Sequence, residues 1–309
     1  MNDFSSNFFD LRKVIVGRDG KTYSEFRKGL SPRYGLAVLD LITTFVFLLA
    51  LLIFLWLATR HAPILGLVPM ISLAICMHRL SLFLHEGAHF HLAQSNKVND
   101  LLTNIFVGVL VLVDVRTYRP GHLLHHRLLG TSDDPENSYQ SRLNLGFLVR
   151  SVSGLNVLRV IRKRKSTADD PNLRRRLLVP ICGVLIYLAI LSLGLVRGNL
   201  AFSLQFGVSF FALFPTIASL RQLLEHRAQA GSFLEDDRPV TRLFSQSIYS
   251  SIFGAAGFNR HLLHHWDPGI SYTNLSAIEE WLAATSAGEI LNVRRASYYQ
   301  AFRILWVVK

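Results

Sequence analysis

Four long apolar segments most limit what this chain can fold into. They cover residues 34–59, 64–84, 177–196 and 200–220, and charged residues are nearly confined to the stretches between them. A helix needs about 20 apolar residues to cross a bilayer, and it satisfies its own backbone hydrogen bonds there. Half of the chain is hydrophobic and 17% is charged. We therefore predict an all-α integral membrane protein with four transmembrane helices.

A fifth apolar segment, 101–115, is shorter than a full crossing. Segments of this length are more often re-entrant or interfacial, and we predict one of these two placements. Farther on, residues 145–161 mix apolar side chains with arginines before the basic run 162–165. That pattern is typical of a helix lying on a lipid surface. A solvated basic loop fits it equally well, so both interpretations stay open.

The positive charges predict an orientation for the spans. If the four long segments cross and 101–115 does not, only Arg60 and Arg197 of the 33 lysines and arginines face outside. The positive-inside rule favours this arrangement, which places both termini, including an N-terminal arm at 1–33, in the cytoplasm. The chain has a net charge of +12. Its basic residues alternate with apolar runs, so we expect a membrane as partner and no nucleic acid. No polar linker is long enough to mark a boundary, and 1–309 is predicted to be one domain.

Histidines are concentrated in three clusters, and a further histidine, His226, precedes the third. Nine of the twelve histidines lie in the clusters His85-Glu86-Gly87-Ala88-His89-Phe90-His91, His122-Leu123-Leu124-His125-His126 and His261-Leu262-Leu263-His264-His265. In the four-span topology all of them fall on the cytoplasmic side. If 101–115 crossed instead, the whole bilayer would separate the first two clusters. For the isolated His61 and His78 we expect ordinary core or surface positions.

The spacing of these histidines suits metal binding. Residues three and four apart share a face of a helix, so His85 and His89 would be stacked, and in each His-x-x-His-His the first residue would face the last two. Neutral imidazole binds iron, zinc, copper and nickel. A tetrahedral structural zinc takes four ligands, and nine or ten convergent histidines exceed that number. The clusters therefore predict a pair of metal ions.

Three other kinds of metal protein are weaker matches. His85-Glu86-Gly87-Ala88-His89 fits the H-E-x-x-H motif of zinc metalloproteases, but that function leaves the other clusters unused. Ferritin-like di-iron sites need two Glu-x-x-His motifs, and only Glu86 and His89 form a clear one. A metal transporter would need charges or ligands at the bilayer midplane, whereas Asp40 and Arg79 lie near the cytoplasmic ends of their spans.

With these residues in order, the chain resembles the membrane-bound fatty acid desaturase superfamily, the integral membrane di-iron enzymes with three histidine boxes. His85-x-x-x-His89 resembles the first box and His122-x-x-His125-His126 the second. The third resembles Asn259-Arg260-His261-x-x-His264-His265. The stretches 131–136 and 221–226 also look like family features. The order of boxes and spans covers about residues 34–275.

The resemblance implies four spanning helices beneath a cytosolic helical cap that holds a di-metal site of two iron ions. The metal ligands it implies are His85, His89, His122, His125, His126, His226, His261, His264 and His265. Asn259 would act through a water, and Glu86, Asp134, Glu225 and also Asp133 are candidates to tune the metals from outside the ligand set. His91 does not fit this count. Asp267 stands where the family commonly has an apolar residue, which puts the substrate class in doubt.

The implied activity is an oxygen-dependent desaturase of a fatty acyl or related lipid, with O₂ as co-substrate. A hydroxylase of a lipid or carotenoid on the same site is the alternative. The chain has no dinucleotide-binding glycine motif, no haem motif and too few cysteines for an iron–sulfur cluster. Electrons are therefore expected from a separate carrier such as a ferredoxin or a cytochrome b5-like protein, which the basic surface would attract if it is acidic.

Overall fold

The computed structural model describes residues 10–165, 176–227 and 241–306. These residues are mostly helical, and one small parallel pair joins strands β1 (Leu243–Phe244) and β2 (Arg295–Ala296). The helices α1 to α16 are, in chain order, Tyr23–Lys28, Tyr34–His61, Leu67–Ala88, Asn96–Thr103, Val109–Val111, Val115–Leu128, Leu145–Val152, Leu155–Lys165, Leu178–Val196, Leu200–Val208, Phe214–His226, Ile248–Phe253, His261–Trp266, Leu275–Ala283, Gly288–Val293 and Tyr298–Leu305.

Four helical stretches are long and apolar enough to cross a membrane. They are Tyr34–His61, Pro63–Ala88, Leu178–Val196 and Leu200–His226. In the last of them a π-helical turn, Ser209–Leu213, joins α10 to α11 without ending the helix. Large apolar side chains such as Phe47, Phe54 and Leu185 are more than half exposed on the outer faces of these helices, where lipid would cover them. The predicted class, an all-α integral membrane protein with four candidate spans, is confirmed.

The two short connections between spans lie together at one end of the bundle. Asn199, which follows Arg197, donates its side-chain amide to the carbonyl of Trp56 at 3.2 Å and to Oγ1 of Thr59 at 3.1 Å. Gln205 donates to the carbonyl of Pro63 at 2.7 Å. The helices that run away from this end, α3 and α11, finish at the opposite end with the first histidine cluster and His226.

The fifth apolar segment is a bent pair of helices. The stretch Asn96–Val111 meets α6 at an angle of 86°, and Leu112 at the corner has a φ of +57°. Asp114 begins α6 as its N-cap and accepts the backbone N–H of Arg116 at 2.8 Å. A re-entrant loop and a broken span share this shape, so the predicted re-entrant or interfacial placement stays a prediction.

The basic region after the second cluster is helical. Residues 145–161 form α7 and the first part of α8, which are separated at Gly154 with a φ of +72°. Leu145, Val149 and Val152 lie at helical spacing along α7, and all three are exposed. The helix favours the lipid-surface interpretation over the loop, and its contact with lipid stays a prediction.

The third cluster sits in a cap that the N-terminal arm holds in place. Trp266 at the end of α13 is fully buried, and its ring packs against Tyr23 of α1 with centroids 4.4 Å apart. Asp267 accepts hydrogen bonds from the Tyr23 hydroxyl at 2.9 Å and from Nε of Arg27 at 2.6 Å. The residue expected to bear on the substrate therefore ties α1 to the third cluster.

Candidate metal centre

The structure brings nine histidines from distant parts of the chain into two adjacent groups. We call His85, His89, His122, His126 and His264 the first group; one ring nitrogen from each lies within 4.8 Å of the others. His125, His226 and His265 converge in the same way, and so do Glu225, His226 and His261. We call the four histidines of these overlapping sets the second group. The two groups together contain all nine predicted ligands, whose binding of metal stays a prediction.

The second and third clusters each divide their histidines between the two groups. His122 and His126 on α6 enter the first group, while His125 turns into the second. On α13 the division is reversed, because His261 and His265 enter the second group and His264 the first. Residues i and i+4 nearly share a helix face, whereas i+3 is turned by about 100° from i+4. Two facing helices that carry the same His-x-x-His-His motif can therefore each supply histidines to both groups.

Within each group the Nε2 atoms face one another. In the first group, Nε2 of His89 lies 3.0 Å from that of His122 and 3.2 Å from that of His126, and His264 approaches His126 to 3.2 Å. In the second group, His261 lies 3.1 Å from His226 and 3.0 Å from His265 between the same atoms. The Nε2 atoms thus form two compact clusters.

Several of the opposite ring nitrogens bind carboxylates or a tyrosine. Nδ1 of His125 lies 2.9 Å from both oxygens of Asp134, which also accepts the hydroxyl of Tyr139 at 2.6 Å. Nδ1 of His122 lies 3.1 Å from the Tyr118 hydroxyl and 3.4 Å from Oε1 of Glu136. A carboxylate is only an acceptor, so it fixes the proton on Nδ1 and leaves the Nε2 lone pair facing the cluster.

Burial lowers the pKa of several of the clustered histidines. Desolvation, and then the neighbouring histidines, lower the pKa of His261, His264 and His265 well below the usual value for histidine. The same two causes, in the same order, lower the pKa of His89. An uncharged imidazole offers a lone pair, which is the form that binds metal.

The Nε2 atoms of the two groups are arranged in a way that suits metal cations. Nε2 lone pairs at these separations repel one another unless a proton or a cation lies between them, and the low pKa values oppose extra protons. Nε2 of His85 is buried and has no hydrogen-bond partner among the described residues, although its Nδ1 lies 3.1 Å from Oε1 of Glu86. Buried polar atoms without a partner are uncommon, and a bound cation would satisfy this one.

The first cluster ends in a turn that returns His91 to Glu86. Helix α3 stops at Ala88, and the backbone N–H of His91 bonds the carbonyl of Glu86 at 3.0 Å while that of Phe90 bonds Gly87 at 3.3 Å. These two bonds form a Schellman motif, with Phe90 at a φ of +61° in the position that usually holds glycine. Nδ1 of His91 lies 3.0 Å from Oε2 of Glu86. His91 therefore contacts the carboxylate that holds His85.

The contacts of Glu86 argue against the protease interpretation. Oε1 of Glu86 contacts His85 and Oε2 contacts His91. Oε2 also accepts the backbone N–H of Tyr272 at 3.2 Å. A metalloprotease needs this glutamate free to take a proton from water. Gly87 of the same motif has a packing role, because a Cβ there would lie 2.2 Å from Oγ1 of Thr103.

The other predicted contributors occupy different settings. Glu225 is buried, binds Arg221 and Tyr298, and has Oε2 3.9 Å from Nε2 of His261. Asn259 is buried just before α13, whereas Asp133 is exposed. Tyr118, Glu136, Tyr139 and Tyr272 were not predicted. Tyr118 precedes His122 by four residues, so helical spacing could have identified it.

One comparison with known proteins identifies the family. Residues 61–296, more than half of the chain, match the fatty acid desaturase family. The chain is a member of this family. None of the curated proteins matches it. Membership confirms the resemblance and makes the chain an oxidoreductase of the desaturase and hydroxylase type, which acts on lipid in the membrane with a metal centre.

Beside the candidate metal centre lies a cavity of about 590 Å³. Both histidine groups reach it, the first through His85 and His122 and the second through His125, His226 and His261. Much of the remaining wall is apolar and comes from α3, α8, α11 and the corner before α6, including Leu82, Leu112, Val157, Val160 and Pro215. A lipid chain in this cavity would pass directly beside the histidines.

Proposed function

We propose that this protein is an oxygen-dependent di-iron desaturase of a fatty acyl or related lipid substrate. The observation that carries the proposal is the arrangement of nine histidines in two adjacent groups that share one largely apolar cavity. Family membership supports lipid oxidation in general. We further propose that the centre holds two metal ions, that both are iron, and that the reaction is desaturation.

The first group would hold one iron and the second group the other. Two ferrous ions bound there would supply the ability to reduce O₂, with two electrons from the external carrier and two from the substrate, and to remove hydrogen from an unactivated C–H bond. Imidazole ligands suit iron, and because they are neutral they leave the positive charge of the ions in place. Asp134, which contacts Nδ1 of His125, would put negative charge beside the second group and stabilise a more oxidised centre there.

The chain itself orients the ligands and excludes water. Asp134 and Glu136 hold the protons of His125 and His122 on Nδ1, so the Nε2 atoms stay available. Apolar residues such as Leu82 and Val160 keep water from the place where a C–H bond would meet the centre. The cavity would thus bind an alkyl chain by its shape and hold it beside the histidines.

The proposed orientation puts both termini and all three histidine clusters in the cytoplasm. The connections that carry Arg60 and Arg197 lie together at the end of the bundle away from the three histidine clusters, and they hold few of the 33 basic residues. A soluble electron carrier such as a ferredoxin or a cytochrome b5-like protein would then reach the centre from the basic side. If that carrier is acidic, turnover with purified carrier should fall as salt rises. Turnover independent of salt would refute the electrostatic attraction.

Two measurements test the function. Metal analysis of the purified protein should find about two irons per chain, whereas one zinc would favour a different class of enzyme. Mass spectrometry of lipids from cells with and without the protein should then reveal a lipid lighter by two hydrogens. A product heavier by one oxygen would make the enzyme a hydroxylase on the same site. No changed lipid, with iron present and a carrier supplied, would contradict the proposal.

A further inference from the structure

Among the residues that line the cavity, His78 and Arg221 have buried side-chain nitrogens without a hydrogen-bond partner in the described part of the chain. His78 lies on α3 seven residues before His85, so it faces the same side of the helix roughly 10 Å deeper in the span. Its side chain has no exposed surface, and neither ring nitrogen has a hydrogen bond among the described residues. The backbone carbonyl of Phe253 is near enough to interact with the ring. A single carbonyl, however, can satisfy at most one of the two ring nitrogens.

Arg221 is the second such group. Its Nη1 donates to Glu225 and its guanidinium lies 4.4 Å from the ring centroid of Phe258, whereas its buried Nε has no partner among the described residues. Both Arg221 and His78 line the cavity, and the charge of Arg221 acts on the His78 ring. Ionisable residues within a span usually mark the path or the site of a ligand.

The missing partner of these groups must accept a hydrogen bond. Nε of an arginine is only a donor, whereas histidine can donate or accept. Leaving such groups unpaired in a cavity lined by Leu82, Val160 and Pro215 is unfavourable. Arg221 already donates to the carboxyl of Glu225 at 2.5 Å, so a carboxylate from a ligand would be buried beside a second carboxyl group, which is unfavourable. An uncharged oxygen satisfies both residues.

We propose that this cavity binds a lipid that carries a hydroxyl or carbonyl oxygen along its hydrocarbon part, held between His78 and the guanidinium of Arg221. The proposal rests on the proposed function and narrows its substrate class, from alkyl chains in general to oxygenated amphiphiles. His78 would then be a specificity-determining residue. A plain chain would leave both polar groups without hydrogen bonds and would bind more weakly.

Equilibrium binding tests the proposal without turnover. The full-length protein in lipid nanodiscs, kept free of O₂ and reductant, is titrated with stearate and with a positional series of monohydroxy- and monooxo-stearates. At least one member of the series should bind about tenfold more tightly than stearate, as expected for a site built around a buried hydrogen bond. If no member binds more tightly than stearate, water fills the site and the proposal is wrong.

Variants then locate the source of the preference. His78→Leu should bring the affinities for the preferred lipid and for stearate within about twofold of each other, and His78→Gln, which can still donate and accept, should restore most of the difference. Thr59→Val, which removes a buried polar group from α2 at the far end of the bundle, is the matched control and should keep the full preference. A preference that survives His78→Leu at normal iron content would overturn the role of His78.

The two hypotheses fail in different ways. A selective binding site in a protein that oxidises no lipid would contradict the proposed function and leave the oxygen site standing. Oxidation of plain acyl chains, with no binding preference in the series, would support the function and remove the oxygen site.

Discussion

The two histidine groups differ in exposure. In the first group His89 and His126 are half-buried, whereas every histidine of the second group is buried. The second group also has Asp134 on His125 and Glu225 beside His261. The first group has Glu86 on His85, shared with His91, and Glu136 3.4 Å from Nδ1 of His122. The centre is thus asymmetric although its two clusters on α6 and α13 share one motif.

This asymmetry suggests a division of labour between the two positions. A metal whose ligands are all buried is shielded from solvent and is harder to remove. A metal whose ligands are partly exposed is easier for solvent and small molecules to reach. If each group binds one ion, changes in one group should affect that ion more than its neighbour.

The largest effect should come from two neighbouring residues that serve different groups. His264→Ala should remove the metal of the first group and His265→Ala that of the second, so that each variant keeps about one iron per chain instead of two. Lipid oxidation should fall by more than about a hundredfold in both, beyond the loss typical of groups outside the ligand set. Iron analysis and product formation measure the two effects. Two irons in both variants would show that the geometric division does not describe metal binding.

A carboxylate outside the ligand set should have the next largest effect. Asp134→Asn replaces an acceptor that holds the Nδ1 proton of His125 with an amide that can also donate, so His125 no longer keeps one tautomer. Iron affinity of the second group should fall roughly 10- to 100-fold, which titration of the apoprotein with ferrous iron would measure. Asp133→Asn, at the exposed neighbouring position, is the control and should bind iron as the native protein does. Equal losses in both variants would point to a general charge effect.

The convergence of the histidines was predictable, but their division was not. Spacing and the positive-inside rule identified His122, His125 and His126 as ligand candidates on one side of the membrane, because both arguments depend on local sequence. Which group each histidine enters depends on how α6 and α13 are rotated against each other. That rotation is set by packing between segments more than a hundred residues apart, and no local pattern encodes it.

His91 illustrates a different limit of sequence reasoning. On an ideal helix it points about 200° away from His89, which left its role open. The helix instead ends at Ala88, and a non-glycine residue, Phe90, adopts the left-handed conformation. Arg119 stabilises this turn by donating to the carbonyls of Gly87 and Ala88 and lying 3.8 Å from the Phe90 ring centroid. Glycine, the usual signal for such a turn, is absent here.

A smaller effect, confined to the first group, is expected from His91. His91→Ala removes one donor from the buried carboxylate of Glu86, so Glu86 holds Nδ1 of His85 less firmly. Iron affinity of the first group should fall several-fold, below the roughly 10- to 100-fold range of groups that contact a ligand directly. His91→Gln can still donate to Glu86 and should recover most of the affinity, and the exposed His61→Ala serves as the control. A loss in the second group instead would contradict the contacts of Glu86.

The smallest expected effect is a difference between the two groups in the rate of iron release. Dilution of the iron-loaded protein into a strong chelator should release iron in two phases, with the faster several-fold ahead of the slower, because partly exposed ligands exchange with solvent more readily than buried ones. Variants assign the phases: His264→Ala should lack the fast phase and His265→Ala the slow one. Release in one phase from the native protein would mean that both ions leave through a common opening of the cap. Loss of the slow phase in His264→Ala would mean that exposure of His89 and His126 does not govern release, and the contrast in exposure between the two groups would then have no effect on how iron leaves.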